Sequence, residues 1–290
     1  MRDRRVVVSL LTILGAACAG GCKGAPPTVG PMDAGTSPVL KIAGSTAVLP
    51  LAAEAANAFM RAHPGTALNV EAGGSRQGLA RVAAGAVDIG TSDLFATGEG
   101  LSQLEDHRIA VVAFAPVANR GAYDESITSL SLAQLRGIFS GKIRDWAEVG
   151  GKPQPIVIVN RAKNSGTRGA FGAVVLGGDN FASGAEEQES SGLVQTVLLE
   201  KVGAISYLAL SYRHGDLKTF AVDGVEPNPE NIEQGTYPIW SYEHMYTRGP
   251  ASGDARAFID FVLSPAIQGS ALEHGGFIPV VAMKVSRDHD

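Results

Sequence analysis

Three short runs hold the side chains with most chemistry to offer. Ser45-Thr46 follows Gly44, Ser75 follows Gly73-Gly74, and Ser165-Gly166-Thr167 lies four residues past Arg161. Glycine lets the backbone approach a ligand closely, while serine and threonine add hydroxyl donors. Each run precedes a segment of helical periodicity. A helix N-terminus presents unpaired N–H groups and a partial positive charge, so it binds anions readily. One such turn is more simply an N-cap. Three of them, with an arginine beside the third, could surround one small tetrahedral oxyanion. Arg161 follows an apolar run directly, and its planar fork of donors keeps its charge when desolvated.

Other chemistries find less support. None of the three serines lies in a G-x-S-x-G elbow. The histidines are His63, His107, His214, His244, His274 and His289, and none forms an H-E-x-x-H pair. His63, before Pro64, reads as a helix cap, and His244 as packed in a strand. Cys18 and Cys22 are the only cysteines, so no cysteine metal set is possible. No catalytic residue, metal or cofactor is therefore expected. The net charge of -5 offers no footprint for nucleic acid. It does not exclude an anion, because a local cavity decides that. Tyr207, Tyr212, Trp240, Tyr242 and Tyr246 could form a sugar platform, but core and hinge packing is the expectation. Trp146 either packs or faces a cleft.

The elements that must position these turns alternate strand and helix. Val39 to Ile42 reads as a strand and leads to a helix through Leu51 to Arg61, with Leu49, Ala53, Ala56 and Met60 on one face. Leu68 to Glu71 leads to a helix carrying Leu79, Val82 and Ala83. Ile156 to Val159 leads to one carrying Phe171, Val174 and Val175. That alternation indicates an α/β fold with mainly parallel sheets. Val87 to Ile89, Ile109 to Pro116, Gly203 to Leu210 and Tyr237 to Tyr246 read as further strands. Ser131 and Gln134 fit a capping box before a helix through Phe139. Asp254 to Leu263 is a helix that Pro265 interrupts or ends. With 45% hydrophobic residues among 290, the chain can build a large core.

The N-terminus reads as a processing signal over residues 1–22. Arg2, Arg4 and Arg5 precede an apolar stretch, Val6 to Ala17, too short to span a bilayer. Ala19-Gly20-Gly21 before Cys22 resembles a lipobox, which makes Cys22 the lipidated residue. Cys18, a plain secretory cleavage and a twin-arginine signal remain alternatives. Residues 23–38, rich in Gly, Pro, Ala and Thr, read as a flexible tether.

Several runs together resemble one family. They are Ala43-Gly44-Ser45-Thr46, Gly73-Gly74-Ser75, Val87 to Asp93 (VDIGTSD), Asn160 to Arg168 (NRAKNSGTR), Leu135 to Gly151 and Trp240 to Thr247. In that order they are similar to the phosphate-binding proteins of phosphate-specific ABC transporters, in the short lipoprotein branch. The resemblance covers nearly all of Val39 to Met283. It implies a two-lobe, type II periplasmic-binding-protein fold with mixed sheets, flanking helices and the ligand in the cleft between lobes. By the resemblance, Thr46 and the Ala47 N–H serve the first turn, with Ser45 adjacent, and Ser75 serves the second. Asp93 accepts a hydrogen bond from the ligand, and Arg161, Ser165, Gly166 and Thr167 close the site. Lys163 stands where some relatives place an acid that holds the arginine, so another group is expected to orient Arg161. Asn164 replaces a glycine, and asparagine tolerates a left-handed backbone.

The implied lobes are residues 39–119 plus 239–290, and residues 120–238. Hinges are expected at Arg120 to Asp124 and at Thr236 to Ile239. The implied partners are inorganic phosphate, ABC permease subunits and, through the lipid, a membrane. The chain is expected to be a monomeric, extracytoplasmic binder. Asp93 carries the ligand choice: a carboxylate accepts the hydrogen that phosphate retains near neutral pH, whereas sulfate has none to give. Sulfate or molybdate binding, sensing without transport, and hydrolysis are the competing readings.

Overall fold

Strand, turn and helix follow one another as the apolar pattern predicts. The computed structural model describes residues 39–122, 126–213, 215–271 and 275–288. The signal segment, Cys18, Cys22 and the tether lie outside the described residues, as do His214, His274 and His289. Strand β1 (Val39–Gly44) leads to α1 (Leu49–Ala62), β2 (Ala67–Ala72) to α2 (Ser75–Ala83), and β3 (Ile89–Ser92) to the long β4 (Leu104–Asn119). Next come β5 (Ser129–Leu130), α3 (Leu132–Phe139), β6 (Val157–Arg161), α4 (Gly166–Val175), β7 (Glu186–Gln188) and α5 (Ser191–Glu200). The chain continues through β8 (Ala204–Ala209), β9 (Leu217–Thr219), β10 (Ala221–Val222), α6 (Pro229–Glu233), β11 (Trp240–Arg248) and α7 (Gly253–Val262).

Among the described residues the main sheet runs in the order β2-β1-β3-β11-β4-β8-β6-β7, with β9 also on β4. Its two ends are parallel: β1 pairs with β2 and β3, and β6 with β7 and β8. The centre is antiparallel, unlike the mainly parallel sheet expected from the helix–strand alternation. There β11 pairs with β3 and β4, and β4 with β8 and β9. The cause is β4, which pairs with β11 up to Ala113 and with β8 from Phe114 onward. One strand therefore belongs to both ends of the sheet, and β11 returns beside it.

Local choices explain the elements that position the site. Ser131 Oγ accepts from Gln134 N at 3.0 Å and Gln134 Oε1 from Ser131 N at 2.8 Å, the expected capping box of α3. Helix α2 lies unusually close to the sheet because Gly78 has no side chain. A Cβ there would stand 2.7 Å from Gly44 Cα and 2.7 Å from the Thr91 carbonyl oxygen. Gly44 itself takes φ 146°, a backbone that favours glycine.

The buried face of α1 is Leu51, Ala52, Ala55, Ala56 and Phe59, rather than Leu49, Ala53, Ala56 and Met60. Phe59 decides the rotation. It packs edge-on against Phe258 and Phe261 of α7, at centroid distances of 5.5 and 5.4 Å, and the alanines let the helix approach. His63 ends α1 and stacks on Phe59 at 4.0 Å. Trp146 is fully buried and donates to the Gly203 carbonyl, so it packs rather than facing a cleft. Trp240, Tyr242, His244 and Tyr246 form one ladder of ring contacts along β11, buried rather than displayed as a sugar platform. Replacing Phe59 by alanine removes the anchor between α1 and α7. Denaturant unfolding of F59A should show a loss of about 3–5 kcal/mol.

Candidate functional site

The ends of β1, β3 and β6 and the starts of four helices meet at one buried cluster. Ser45, Thr46 and Ala47 lead from β1 into α1. Ser75 is the first residue of α2, Ser165 the N-cap of α4, and Gly166 and Thr167 its first residues. Asp93 follows β3 and Arg161 ends β6. Each expected side chain here is at most 3% exposed. The strand–turn–helix pattern thus brings the first turns of several helices to the same place.

Asp93 is the acceptor at the centre. Ser45 Oγ donates to its Oδ1, and Thr167 Oγ1 donates to its Oδ2 at 2.7 Å. Its backbone N–H donates to Ser75 Oγ at 3.0 Å, and its carbonyl accepts from Ser241 Oγ. Ser45 Oγ also accepts from the Ala47 N–H at 3.0 Å. Ser165 Oγ instead accepts from Arg168 N at 3.2 Å, so it serves as the helix cap. Gly166 lies hard against the opposite turn: a Cβ there would be 2.1 Å from Ser75 Oγ and 2.7 Å from Ser75 Cβ.

Arg161 is 1% exposed, yet among the described residues no carboxylate lies within ion-pair distance of it. Its Nη1 donates to Ser191 Oγ at 3.0 Å, and its Nη2 to Thr46 Oγ1 at 2.9 Å and to the Glu189 carbonyl at 3.3 Å. Its Nε is buried without a partner. Burial pulls the guanidinium below its ordinary pKa, while the charge of Asp93 acts the other way. Such a cation, with a donor to spare, is set to receive an anion.

Ser191 is the functional residue that sequence reasoning missed. It is fully buried at the first turn of α5, shares a hydrogen bond with Thr46 Oγ1 at 3.1 Å, and offers its N–H to the same oxygen. The signal was present: Glu186 to Gln188, then Ser190-Ser191-Gly192, then a helical run repeats the strand–turn–helix pattern of the other three turns. Ser191 and the Glu189 carbonyl are also the groups that orient Arg161 in place of an acid at position 163. Asn164 does not take the left-handed backbone; Asp223 does, at φ 49°. Asn164 bridges instead, donating to the Gly73 carbonyl at 2.8 Å and accepting from Arg76 N at 3.1 Å.

The profile of the PBP superfamily domain matches residues 26–266. The phosphate-binding protein PstS of Bacillus subtilis is 41% identical over 298 aligned positions, which cover 99% of this chain and 98% of that protein. The chain belongs to the PstS family. Among solved structures, one from Clostridium perfringens is assigned as a phosphate ABC transporter substrate-binding protein and holds bound phosphate. It superposes with a TM-score of 0.79 at 29% identity, over 84% of this chain and all of that one. An ABC-type phosphate transport receptor from Vibrio cholerae superposes with a TM-score of 0.68 at 25% identity, over 82% of this chain and 99% of that one. The expected two-lobe class of fold, with mixed strands and flanking helices, is the fold of these PstS-family neighbours.

The contact between Gly166 and Ser75 gives a test of the geometry. G166A should destabilise the chain by about 1–3 kcal/mol, as overpacking does. Adding S75G should recover part of that loss, because it removes the atoms the new methyl meets. A double-mutant cycle by denaturant unfolding measures this coupling, and strict additivity would contradict the contact.

Proposed function

We propose that this PstS-family chain binds inorganic phosphate outside the cytoplasm and delivers it to an ABC importer. The observation that carries the reading is Arg161: a buried guanidinium with no ion pair among the described residues, held by Thr46 and Ser191 where four helices begin. An uncompensated buried charge is costly. A bound oxyanion supplies the missing charge and accepts from the helix N-termini. Ser45, Thr46, the Ala47 N–H, Ser75, Asp93, Arg161, Gly166 and Thr167 are the proposed contacts, with Ser165 holding the turn and Ser191 added to the set. Asp93 selects the ligand. Its oxygens accept from Ser45 and Thr167, and a protonated anion can take the place of one hydroxyl as donor. Sulfate meets the same carboxylate as a like charge, at a cost of roughly several kcal/mol.

Closure of two lobes is the proposed mechanism. Periplasmic binding proteins close by hinge motion around their ligands, and the strand pairing here supports that movement. We place one hinge within β4 at Ala113–Phe114, where its partner changes from β11 to β8, rather than beyond Asn119. The other lies near Pro238 and Trp240, whose carbonyls accept from Arg287. The hydrogen bond that Thr167 donates to Asp93 and the one shared between Thr46 and Ser191 then join the lobes across the site. Closure without an anion leaves Arg161 buried and uncompensated, so the ligand favours the closed form. A monomer tethered by a lipid on Cys22 would keep this cycle near the permease. We read the chain as a binder rather than a hydrolase; among the described histidines, His63 bonds to the Phe59 carbonyl, His107 to Thr247 and His244 to Asp106.

Calorimetric titration of the purified chain with phosphate, then with sulfate, tests the function; no heat with phosphate, or equal preference for sulfate, rejects it. R161M should lose phosphate binding. D93N should narrow the preference for phosphate over sulfate, by about a thousandfold at most if several kcal/mol of repulsion is removed.

A further inference from the structure

Glu243 is a buried acid that the contacts described so far do not use. It sits on β11 and is 0% exposed; among the described residues no donor group reaches either carboxyl oxygen, and the neighbour within hydrogen-bonding reach is the Asp93 carboxyl. Its place is set by the sheet. His244 pairs with Ser92, so Glu243 falls level with Asp93, one step past the end of β3. Successive residues of a strand face opposite sides, and His244 turns to Asp106 instead. Two carboxyl groups thus lie side by side within the anion site.

Both cannot carry charge there at small cost, since buried like charges repel. The surrounding groups decide which holds the proton. Asp93 accepts a hydroxyl hydrogen on each oxygen and lies nearest the Arg161 charge. Among the described residues of the elements packed around it, no cation is left for Glu243. Arg161 bonds to Thr46, Ser191 and the Glu189 carbonyl; on β4, Arg108 lies against Asp106. On α2, Arg81 pairs with Glu71 and Arg76 is exposed; on α4, Arg168 pairs with Glu187. Tyr212, whose hydroxyl donates to the Thr46 carbonyl, is pushed up to about 12, by burial first, so it stays neutral. Burial, and then Asp93, hold the Glu243 carboxyl well above the usual carboxylate range.

We infer that Glu243 is a positioning residue for anion selection: as a neutral acid it shares its proton with Asp93, so that the pair presents one negative charge and a fixed acceptor. The inference rests on the reading of Asp93 as acceptor for a protonated anion. A hydrogen bond to a charged form favours that form. Glu243 therefore fixes Asp93 in the role of acceptor. A protonated Asp93 would become a donor and would accept sulfate as readily as phosphate.

The test compares E243Q, which keeps a donor of the same size, with E243L and E243M, which do not. E243L and E243M should lose about tenfold in phosphate-over-sulfate preference by calorimetry, equivalent to about 1.4 kcal/mol. E243Q should stay within about threefold of the parent chain. Either apolar variant, folded and with its preference intact, overturns the inference; so does E243Q falling as far as E243L, which would mean that a neutral donor at this position does not set the preference. Unfolding without anion is the independent readout. The folded parent retains a proton that the unfolded chain releases above about pH 4. Its stability relative to E243Q should thus fall as pH rises from there toward the raised pKa of the folded state. A difference that does not change with pH overturns the inference as well. If the parent chain binds no phosphate, the functional reading fails instead, and the pH series still reports where Glu243 keeps its proton.

Discussion

A guanidinium buried without a carboxylate at ion-pair distance is the constraint on which the rest of this structure depends. Water cannot reach Arg161, and Thr46, Ser191 and the Glu189 carbonyl satisfy only part of its donor fork. Neutral acceptors offset the lost hydration incompletely. The sheet ends and helix starts gathered around it therefore make a site with a standing demand for negative charge. That demand gives the helix N-termini their purpose, because an anion there satisfies several backbone donors at once.

The fold supplies the demand by strand direction. β1, β3 and β6 deliver their last residues to one place, and α1, α2, α4 and α5 begin there. β4 runs through the centre of the sheet and pairs with strands of both ends, so the two ends share it while their turns face each other. Gly78 lets α2 press against β1 and β3, and Gly166 lets α4 press against Ser75. These close approaches hold backbone N–H groups where a small anion can meet them. A methyl group at either position would stand where backbone or Ser75 atoms already lie.

The two carboxyl groups run against the positive character of the site, and the proposed selection for a protonated anion would account for them. Asp93 weakens the attraction for any anion, and does so unequally for protonated and unprotonated ones. Glu243, buried beside a second carboxyl group, costs stability that an apolar residue would not. Sites where local rules are broken in this way are where function is expected to outweigh stability.

The residue types and their order determined much of this protein. Ser45, Thr46, Ser75, Ser165, Gly166 and Thr167 stand in turns before helices because serine, threonine and glycine suit helix starts and apolar runs mark the strands. That is local information, legible one segment at a time. The Ser131–Gln134 cap and the helix past Gly253 were legible for the same reason. Ser191 carried the same local signal but no arginine beside it to draw the eye. Only tertiary structure brought Ser191 to Arg161, turned α1 so that Phe59 met Phe258, and set Glu243 level with Asp93. Those facts depend on which strands pair and how helices rotate against distant partners. Pairing and packing are settled by the whole core at once, and no short run of sequence contains them.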